Sequence, residues 1–321
     1  MKFGTSIAVG AVLVIVVLGG CLGVSEGSGE LSGIRERKRA VTDFGDRAWS
    51  SDHRSDSENR IERLHWEDAI AIKIPVSDDL VELGRRTYNT RCLVCHGKTG
   101  GGNGVAADYL ETKPRDFRKA VFKYRTTRQG SFPRDEDLFR SISVGFPIYG
   151  MPSFHYLSAR HRWGLVYYVK TLTEKGFRKV LEENDDVEPD EVNEILAEKL
   201  KPGKPVDVGQ APVETAVAVA AGKHVYEELS CAKCHGDTGM GDGPSSDDMV
   251  DEWGNTLRAV PFAANPYFMK AGGRPRDIVR VLMTGIGGTG MPRFDTENQD
   301  DYWKLAYYVL QLARERSEED K

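Results

Sequence analysis

Apolar residues recur at helical spacing in a segment that begins near residue 77. Leu80, Leu83 and Tyr88 fall on one face of a helix. Ser77 stands before them, where a residue that caps a helix is favoured, and acidic residues fill the first turn, where negative charge suits the helix dipole. The pattern predicts an amphipathic helix that starts just after Ser77.

A second apolar pattern closes each half of the chain. The segments 163–172 and 303–312, WGLVYYVKTL and WKLAYYVLQL, each carry a broad apolar face that is typical of a packed helix. A shorter helix is predicted in DEDLFRSISVG and again in PRDIVRVLMTG, between loops rich in glycine and proline. Because no segment alternates convincingly between apolar and polar residues as a strand does, we predict an all-α fold.

The two halves of the chain repeat each other. His96 and Met151 are 55 residues apart, and His235 and Met291 are 56 residues apart. A Gly-Met-Pro sequence holds each of these methionines, a tryptophan follows twelve residues later, and a Gly-x-x-x-Tyr sequence precedes each histidine. Such self-similarity predicts two copies of one domain in tandem.

Polar segments surround the two copies. Charged residues dominate before the first copy, and acidic residues dominate the stretch LEENDDVEPDEVNE between the copies. Such charge runs are typical of solvated spacers, and an acidic docking patch for a basic partner is an alternative. The predicted boundaries are 1–21 for an export segment, 22–76 for a polar spacer, 77–173 for the first domain, 174–212 for an acidic linker, 213–314 for the second domain and 315–321 for a polar tail.

The N-terminus reads MKFGTSIAVGAVLVIVVLGGC. A positive start at Lys2, an apolar stretch to Leu18 and small residues after it are typical of an export signal. The stretch LGGC resembles a bacterial lipobox, which implies that Cys21 becomes the lipidated first residue of the mature protein. The alternative is an uncleaved anchor, because the apolar residues from Ser6 to Val24 could just span a bilayer. Both interpretations predict an exported protein that is tethered to a membrane on its periplasmic side.

Composition narrows the possible functions. The chain has 321 residues, enough for about two domains, and its 40% hydrophobic content suits a soluble globular protein with polar linkers. Its net charge of −5 argues against a nucleic-acid partner, because phosphate binding needs a basic surface. Of the five cysteines, four lie in two short motifs and the fifth is Cys21, so no pair is left for a disulfide framework.

The two motifs are Cys-x-x-Cys-His sequences, RCLVCHGKTG and SCAKCHGDTG. A Cys-x-x-Cys pair is used for redox exchange, for zinc binding or for haem attachment. Zinc typically takes two such pairs close in space, and the redox motif needs a βαβ setting, so one pair per helical domain favours neither. A histidine directly after the pair favours haem c, with the thiols on its vinyl groups and the imidazole on its iron. The predicted haem-binding residues are Cys92, Cys95, His96, Cys231, Cys234 and His235.

The Gly-x-x-x-Tyr before each motif, the later Gly-Met-Pro and the Trp-led last helix together resemble the class I c-type cytochromes, as a tandem dihaem member. The resemblance implies two covalently attached haem c groups, with Met151 and Met291 as the second axial ligands of the iron. A His/Met pair raises the reduction potential, since a thioether favours ferrous iron. His155 is the rival ligand in the first copy. The other methionines of the second copy are interpreted as packing or loop residues: Met240, Met249, Met269 and Met283.

Other side chains carry weaker predictions. Trp163 and Trp303 are expected to pack one helix on another or on a haem edge. Tyr88 and Tyr226 are expected to be aromatic contacts between the first and last helices of each copy. Arg115 is a candidate contact for a haem propionate, although a solvent-facing arginine is the commoner case.

An iron with both axial positions filled has no open site for oxygen or peroxide, and it stores and passes one electron. The resemblance therefore implies an electron carrier rather than an enzyme, which relays single electrons between redox proteins of a respiratory chain and takes no small-molecule substrate. One alternative is a dihaem peroxidase-like enzyme, which needs an accessible iron; the repeated Gly-Met-Pro argues against it. Another is a fixed electron-delivering subunit of an oxidase or dehydrogenase complex.

Overall fold

The computed structural model describes residues 73–264 and 269–319. The predicted export segment with Cys21 and most of the predicted N-terminal spacer lie outside the described residues. Within those residues the chain is helical and has isolated bridges but no strand, which confirms the all-α prediction. The helices are α1 (Asp78–Arg91), α2 (Leu93–His96), α3 (Asp135–Val144), α4 (Ala159–Glu182), α5 (Val192–Lys199), α6 (Ala216–Glu228), α7 (Ala232–His235), α8 (Pro275–Thr284) and α9 (Gln299–Glu319).

The first copy is built on the crossing of α1 and α4. Helix α1 begins where the sequence predicts, because the Ser77 side chain accepts a hydrogen bond from the amide of Leu80 at 3.3 Å. At the crossing, a Cβ on Gly84 would overlap the carbonyl oxygen of Gly164. The missing side chain therefore lets the two helix backbones touch, which explains why the sequence places a glycine one turn before Tyr88.

The core of the first copy lies between α1, α3 and α4. Trp163 at the start of α4 is fully buried and stacks on Phe139 of α3, with ring centroids 4.5 Å apart. Tyr88 of α1 is also fully buried and meets Tyr168 of α4 edge-on at 5.2 Å. The tryptophan thus packs one helix on another, and the tyrosine joins the first and last helices, as predicted.

The second copy repeats this arrangement with α6, α8 and α9. Gly222 of α6 faces the main-chain carbonyl of Lys304 in α9, where a Cβ would overlap it. Tyr226 meets Tyr308 edge-on at 5.4 Å, and Trp303 is buried in the same cluster. The glycine crossing, the tyrosine pair and the buried tryptophan are therefore present in both copies.

The acidic linker is not the solvated tether that its charge predicts. Helix α4 continues to Glu182, nine residues beyond the predicted domain boundary at 173, and α5 follows within the linker. Leu181, Val192 and Leu196 are buried together and form a small cluster of their own. The reason is that these apolar side chains stand at helical spacing among the acidic ones, so that one face is buried while the charges stay in water.

The second half of the linker lies along the first copy. The amide of Gly203 donates to the carbonyl oxygen of Phe132 at 3.1 Å, and the amide of Val206 donates to that of Thr126 at 2.8 Å. The linker therefore adds backbone hydrogen bonds to the first copy before α6 begins.

Order in the first copy also begins before the predicted boundary at residue 77. The hydroxyl of Tyr167 donates to the carbonyl oxygen of Ile74 at 2.6 Å, and Lys73 forms salt bridges with Asp135 and Glu136 at 3.2 and 3.1 Å.

None of the helices between residues 73 and 319 that the structure describes has the length and apolar character needed to cross a bilayer.

The two copies contact each other, and the described residues belong to one compact unit. Arg140 in α3 donates through Nη2 to the carbonyl oxygen of Ala271, 3.0 Å away and shortly before α8. The side-chain oxygen of Gln129 accepts the amide of Arg293 at 3.1 Å. Hydrogen bonds between the copies therefore fix their relative position in addition to the linker.

Candidate functional site

Each copy contains a cavity at the residues that the sequence singles out. The first has a volume of about 1170 Å³ with its open mouth included, and the second about 1640 Å³. The first is lined by Cys92, Cys95, His96 and Met151, and the second by Cys231, Cys234, His235 and Met291. The structure thus brings together within each copy all four residues that the sequence predicts for it.

The two cysteines and the histidine of the first motif are arranged by one helical turn. Cys92 ends α1, where its amide still donates to the carbonyl oxygen of Tyr88 at 2.8 Å. The chain then turns into the short helix α2, in which the His96 amide donates to the carbonyl oxygen of Cys92 at 2.9 Å. This turn places both thiols and the imidazole on the wall of one cavity.

The same turn forms in the second copy. The His235 amide donates to the carbonyl oxygen of Cys231 at 2.9 Å, and Gly236 caps the C-terminus of α7. Gly236 has φ +73, a left-handed conformation that only glycine adopts without strain, and Gly97 in the first copy has φ +76. The glycine after each motif is therefore required for the chain to leave the turn.

A main-chain carbonyl fixes the tautomer of each histidine. The Nδ1 atom of His96 lies 3.3 Å from the carbonyl oxygen of Arg115, and that of His235 lies 3.2 Å from the carbonyl oxygen of Val260. Because a carbonyl can only accept, Nδ1 must carry the proton, and the lone pair is left on Nε2. Burial lowers the pKa of both imidazoles, which keeps them neutral and able to bind a metal.

Aromatic rings hold the histidines in place from the side. Phe117 stacks on His96 with ring centroids 4.7 Å apart, and Phe262 packs against His235 at 5.2 Å. Both phenylalanines also line the cavities. Sequence reasoning did not single them out, because Phe117 follows its histidine by 21 residues and Phe262 by 27, so the repeat offers no fixed spacing.

Tyr88 and Tyr226 have a second role that sequence reasoning missed. The hydroxyl of Tyr88 donates to the carbonyl oxygen of Gly97 at 2.7 Å, and that of Tyr226 to Gly236 at 2.6 Å. Each tyrosine therefore ties the end of the motif back to the first helix of its copy. The signal that could have revealed these bonds was a tyrosine shortly before each motif, four residues before Cys92 and five before Cys231.

A loop of the same form carries the methionine in each copy. In the first, the amide of Phe146 donates to the carbonyl oxygen of Met151 at 2.7 Å, and in the second the amide of Ile286 donates to that of Met291 at 3.0 Å. His155, the rival ligand, is not among the residues that line the first cavity. The placement in the first copy therefore favours Met151.

The second cavity holds more than one methionine. Met249 and Met269 line it together with Met291, whereas Met240 and Met283 do not. Two of the four residues that we interpreted as packing or loop methionines thus lie at the cavity wall. Only Met291 stands at the position that corresponds to Met151, and its role as a ligand stays a prediction.

These features fit a covalently bound haem c. The first cavity is walled by apolar side chains such as Leu138, Ile142 and Phe154, which suit a large aromatic cofactor. Burial raises the pKa of the Cys92 thiol to about 12 and that of Cys231 to about 11. Among the described residues, no three His, Cys, Asp or Glu side chains are grouped as a metal-ion site, which a zinc interpretation of the motifs would need.

Three side chains line both cavities: Lys123, Tyr124 and Lys270. We call these three residues the shared wall. Lys270 of the second copy reaches the first, where its Nζ atom lies 3.0 Å from the ring centroid of Tyr149. Sequence reasoning did not select any member of the shared wall, because no motif surrounds them.

Arg115 lies next to the shared wall rather than in solvent. It lines the first cavity, and its guanidinium stacks on Trp253 of the second copy, 3.9 Å from the ring centroid. Burial lowers its pKa to about 10. The commoner expectation of a solvent-facing arginine is therefore wrong, and the carbonyl of this same residue also orients His96.

Comparison with known proteins agrees with the two-copy architecture. The family described as cytochrome C oxidase, cbb3-type, subunit III matches the chain twice, at residues 79–169 and 217–309. A chain of the Kuenenia stuttgartiensis reducing HAO-like protein complex is 34% identical in sequence and superposes with a TM-score of 0.63. That match covers 74% of this chain and 99% of the other. No curated protein sequence matches this chain.

Proposed function

Because this chain belongs to the cytochrome C oxidase, cbb3-type, subunit III family, whose c-type cytochrome domain it carries twice in tandem, we propose that it is a dihaem cytochrome c. Its cytochrome domains imply electron transfer and covalently bound haem c. The finer proposal is that both domains hold a haem and that the protein relays single electrons between respiratory components outside the cytoplasm. It is a carrier in this proposal, not an enzyme.

One observation carries the proposal: each cavity is lined by a complete and equivalent set of groups. Two thiols, one imidazole and the thioether of a Gly-Met-Pro loop occur in both, as Cys92, Cys95, His96 and Met151 in the first. The imidazole and the thioether would both hold the iron of a bound haem, which would leave no vacant position for peroxide or oxygen. This equivalence argues against a peroxidase, which needs one accessible iron.

Haem c, when bound, supplies reversible one-electron exchange at its iron. The chain's own residues set how readily that exchange occurs. The hydrogen bond from His96 Nδ1 to the Arg115 carbonyl fixes the ring and makes Nε2 more basic. A methionine sulfur and apolar walls favour the ferrous form, so we expect a high reduction potential at both sites.

The proposal is tested on the purified holoprotein by a redox titration of the visible spectrum, combined with a haem count from the pyridine haemochrome. Two one-electron components and two haems per chain are expected, and the reduced protein should not bind carbon monoxide. Cys92→Ala/Cys95→Ala and Cys231→Ala/Cys234→Ala form a matched pair, each of which should remove half of the haem. A colourless protein, or carbon monoxide binding at both haems, would contradict the proposal.

A second candidate is a fixed subunit of a larger redox complex. It is favoured by the relative from Kuenenia stuttgartiensis, whose title names a reducing HAO-like protein complex and which this chain matches over 99% of its length. Extraction in mild detergent followed by sizing distinguishes the two. Co-elution with a catalytic partner supports the subunit, and a lone monomer that still exchanges electrons supports the free carrier.

The location is also a proposal. The export signal and Cys21 in the lipobox-like LGGC support a lipoprotein on the periplasmic side of a bacterial membrane. In cells, a radioactive fatty acid should label the wild type, and Cys21→Ser should abolish that label. A wild type that stays in the membrane fraction without label would instead support the uncleaved anchor.

A further inference from the structure

The shared wall places positive charge between the two cavities. Lys123 and Lys270 each line both cavities, and Arg115 lines the first beside them. The three side chains are close enough that Arg115 and Lys123 both act on the charge of Lys270. A group of cations this close together, and partly buried as these are, is stabilised by anions that balance it.

The described residues supply little of that negative charge. Neither Lys123 nor Lys270 has a salt-bridge partner among them, and no acid acts on Lys270. The one acid whose charge acts on Lys123 is Asp251. Its carboxylate already accepts the amides of Trp253 and Asn255 and the side chain of Asn255, within its own loop.

Burial and the neighbouring positive charges both act on the two lysines. Burial, with repulsion from the neighbouring cations, lowers the pKa of Lys270 to about 7 and that of Lys123 to about 8. The site therefore resists carrying its full charge until anions enter it. The Nζ atom of Lys270 lies over the aromatic ring of Tyr149 rather than beside an acid.

We propose that Lys123 and Lys270 are a common binding site for the propionate carboxylates of both haems, so that the two cofactors share one set of counter-ions. This inference rests on the proposed function, because it requires a haem in each cavity. Carboxylates are the anions that haem c carries at its edge, and charge-assisted hydrogen bonds from ammonium groups to them are among the stronger polar contacts in proteins.

The sharing predicts how substitutions act on the two reduction potentials. Reduction adds one negative charge at an iron, so nearby cations stabilise the reduced form. Removing a lysine of the shared wall should therefore lower both potentials together. A lysine that lines one cavity alone should change only one of them.

The chain offers matched lysines for this test. Lys113 lines the first cavity only, and Lys233 lines the second only. The variants are Lys123→Gln and Lys270→Gln, with Lys113→Gln and Lys233→Gln as controls and Lys270→Arg to restore the charge. Each holoprotein is titrated spectroscopically, with haem content and the low-spin spectrum as checks of folding.

Lys123→Gln and Lys270→Gln should each lower the reduction potentials of both one-electron components by up to about 59 mV. A shift of that size is a tenfold change in the reduction equilibrium. Each control should shift the reduction potential of one component at most. The potentials of Lys270→Arg should lie close to those of the wild type. In redox-difference infrared spectra of protein whose haem propionates carry ¹³C, Lys270→Gln should alter labelled carboxylate bands from both haems.

The inference and the proposed function fail in different ways. If both haems are present and low-spin but Lys123→Gln and Lys270→Gln shift one component or none, the common site is wrong and the dihaem carrier stands. If the wild type holds one haem or none, the proposed function fails before any lysine variant is compared.

Discussion

The guanidinium of Arg125 in the first copy donates a hydrogen bond of 3.0 Å to the main-chain carbonyl oxygen of Thr284 in the second. The same side chain donates to the carbonyl oxygen of Phe122 at 2.8 Å, and it is 4% exposed. Thr284 ends α8, directly before the loop that leads to Met291. One buried cation thus joins a loop of the first copy to the methionine loop of the second.

Replacing Arg125 should weaken the whole unit. Arg125→Gln leaves the buried carbonyl of Thr284 without its donor, and hydrogen bonds to charged groups contribute about 1.5–3 kcal/mol. We expect a loss of roughly 2–3 kcal/mol in the free energy of unfolding, measured by urea denaturation of the holoprotein. Arg128→Gln, three residues away on the surface, is the control. Equal losses in the two variants would show that the contact with Thr284 is unimportant.

The glycine at the α1–α4 crossing should tolerate no side chain. Gly84→Ala forces a methyl group against the main chain of Gly164, and such overpacking costs about 1–3 kcal/mol. Gly273→Ala is the control, because a Cβ there meets nothing within 4 Å. A lower melting temperature in the first variant only is the expected result. Unchanged melting in Gly84→Ala would mean that the helices separate at little cost.

The repeat made much of this architecture predictable from the sequence. The spacing of His96 and Met151 is reproduced by His235 and Met291. Because equivalent positions in two copies fold alike, this repeat predicted which residues share a cavity in each copy. Local signals such as the Ser77 cap also predicted where α1 begins.

The missed features depend on contacts between distant parts of the chain. The shared wall joins Lys123 and Lys270, which lie in different copies and carry no motif, so only the packing of the two copies reveals them.

The linker was misjudged because its acidic residues outnumber the few apolar ones, yet Leu181 and Leu196 are enough to bury one face. Composition reports the average of a segment, whereas folding depends on which side chains share a face.

The ligand of the proposed first haem can be decided between Met151 and His155. Met151→Ala should lower the potential of one component and open that iron to carbon monoxide in the reduced state, because its thioether is removed. His155→Ala should leave both properties unchanged, since His155 does not line the cavity. The reverse outcome would assign the low-potential bis-histidine site that the sequence left as the rival.

Asp137 should make stability depend on pH. Burial raises its pKa from 3.8 to about 6, against the opposing hydrogen bonds from Thr126 and the amide of Arg134. The folded protein therefore binds this proton more tightly than the unfolded chain does. The stabilising contribution is complete below about pH 3.8 and is lost as the pH rises through about 6.

Asp137→Asn keeps the neutral form at every pH. Relative to this variant, the wild type should lose free energy of unfolding between pH 4 and pH 7, by roughly 3 kcal/mol at most for a shift of about two pKa units. The measurement is urea denaturation of both proteins at matched pH values. A constant difference across this range would mean that Asp137 ionises in the folded protein as easily as in the unfolded one.

The proposed second haem has three candidate sulfurs, and the structure separates them by the loop that carries each. Met291 lies in the loop that repeats the Met151 loop, with a carbonyl that accepts the amide of Ile286, whereas Met249 and Met269 lie in segments with no corresponding methionine in the first copy. Met291→Ala should therefore lower one potential and admit carbon monoxide to one reduced haem. Met249→Leu and Met269→Leu, which conserve volume, should keep six-coordinate spectra and shift the potential only slightly. Carbon monoxide binding in Met269→Leu but not in Met291→Ala would move the axial ligand to the segment that also holds Lys270, and the equivalence of the two copies at the iron would then be wrong.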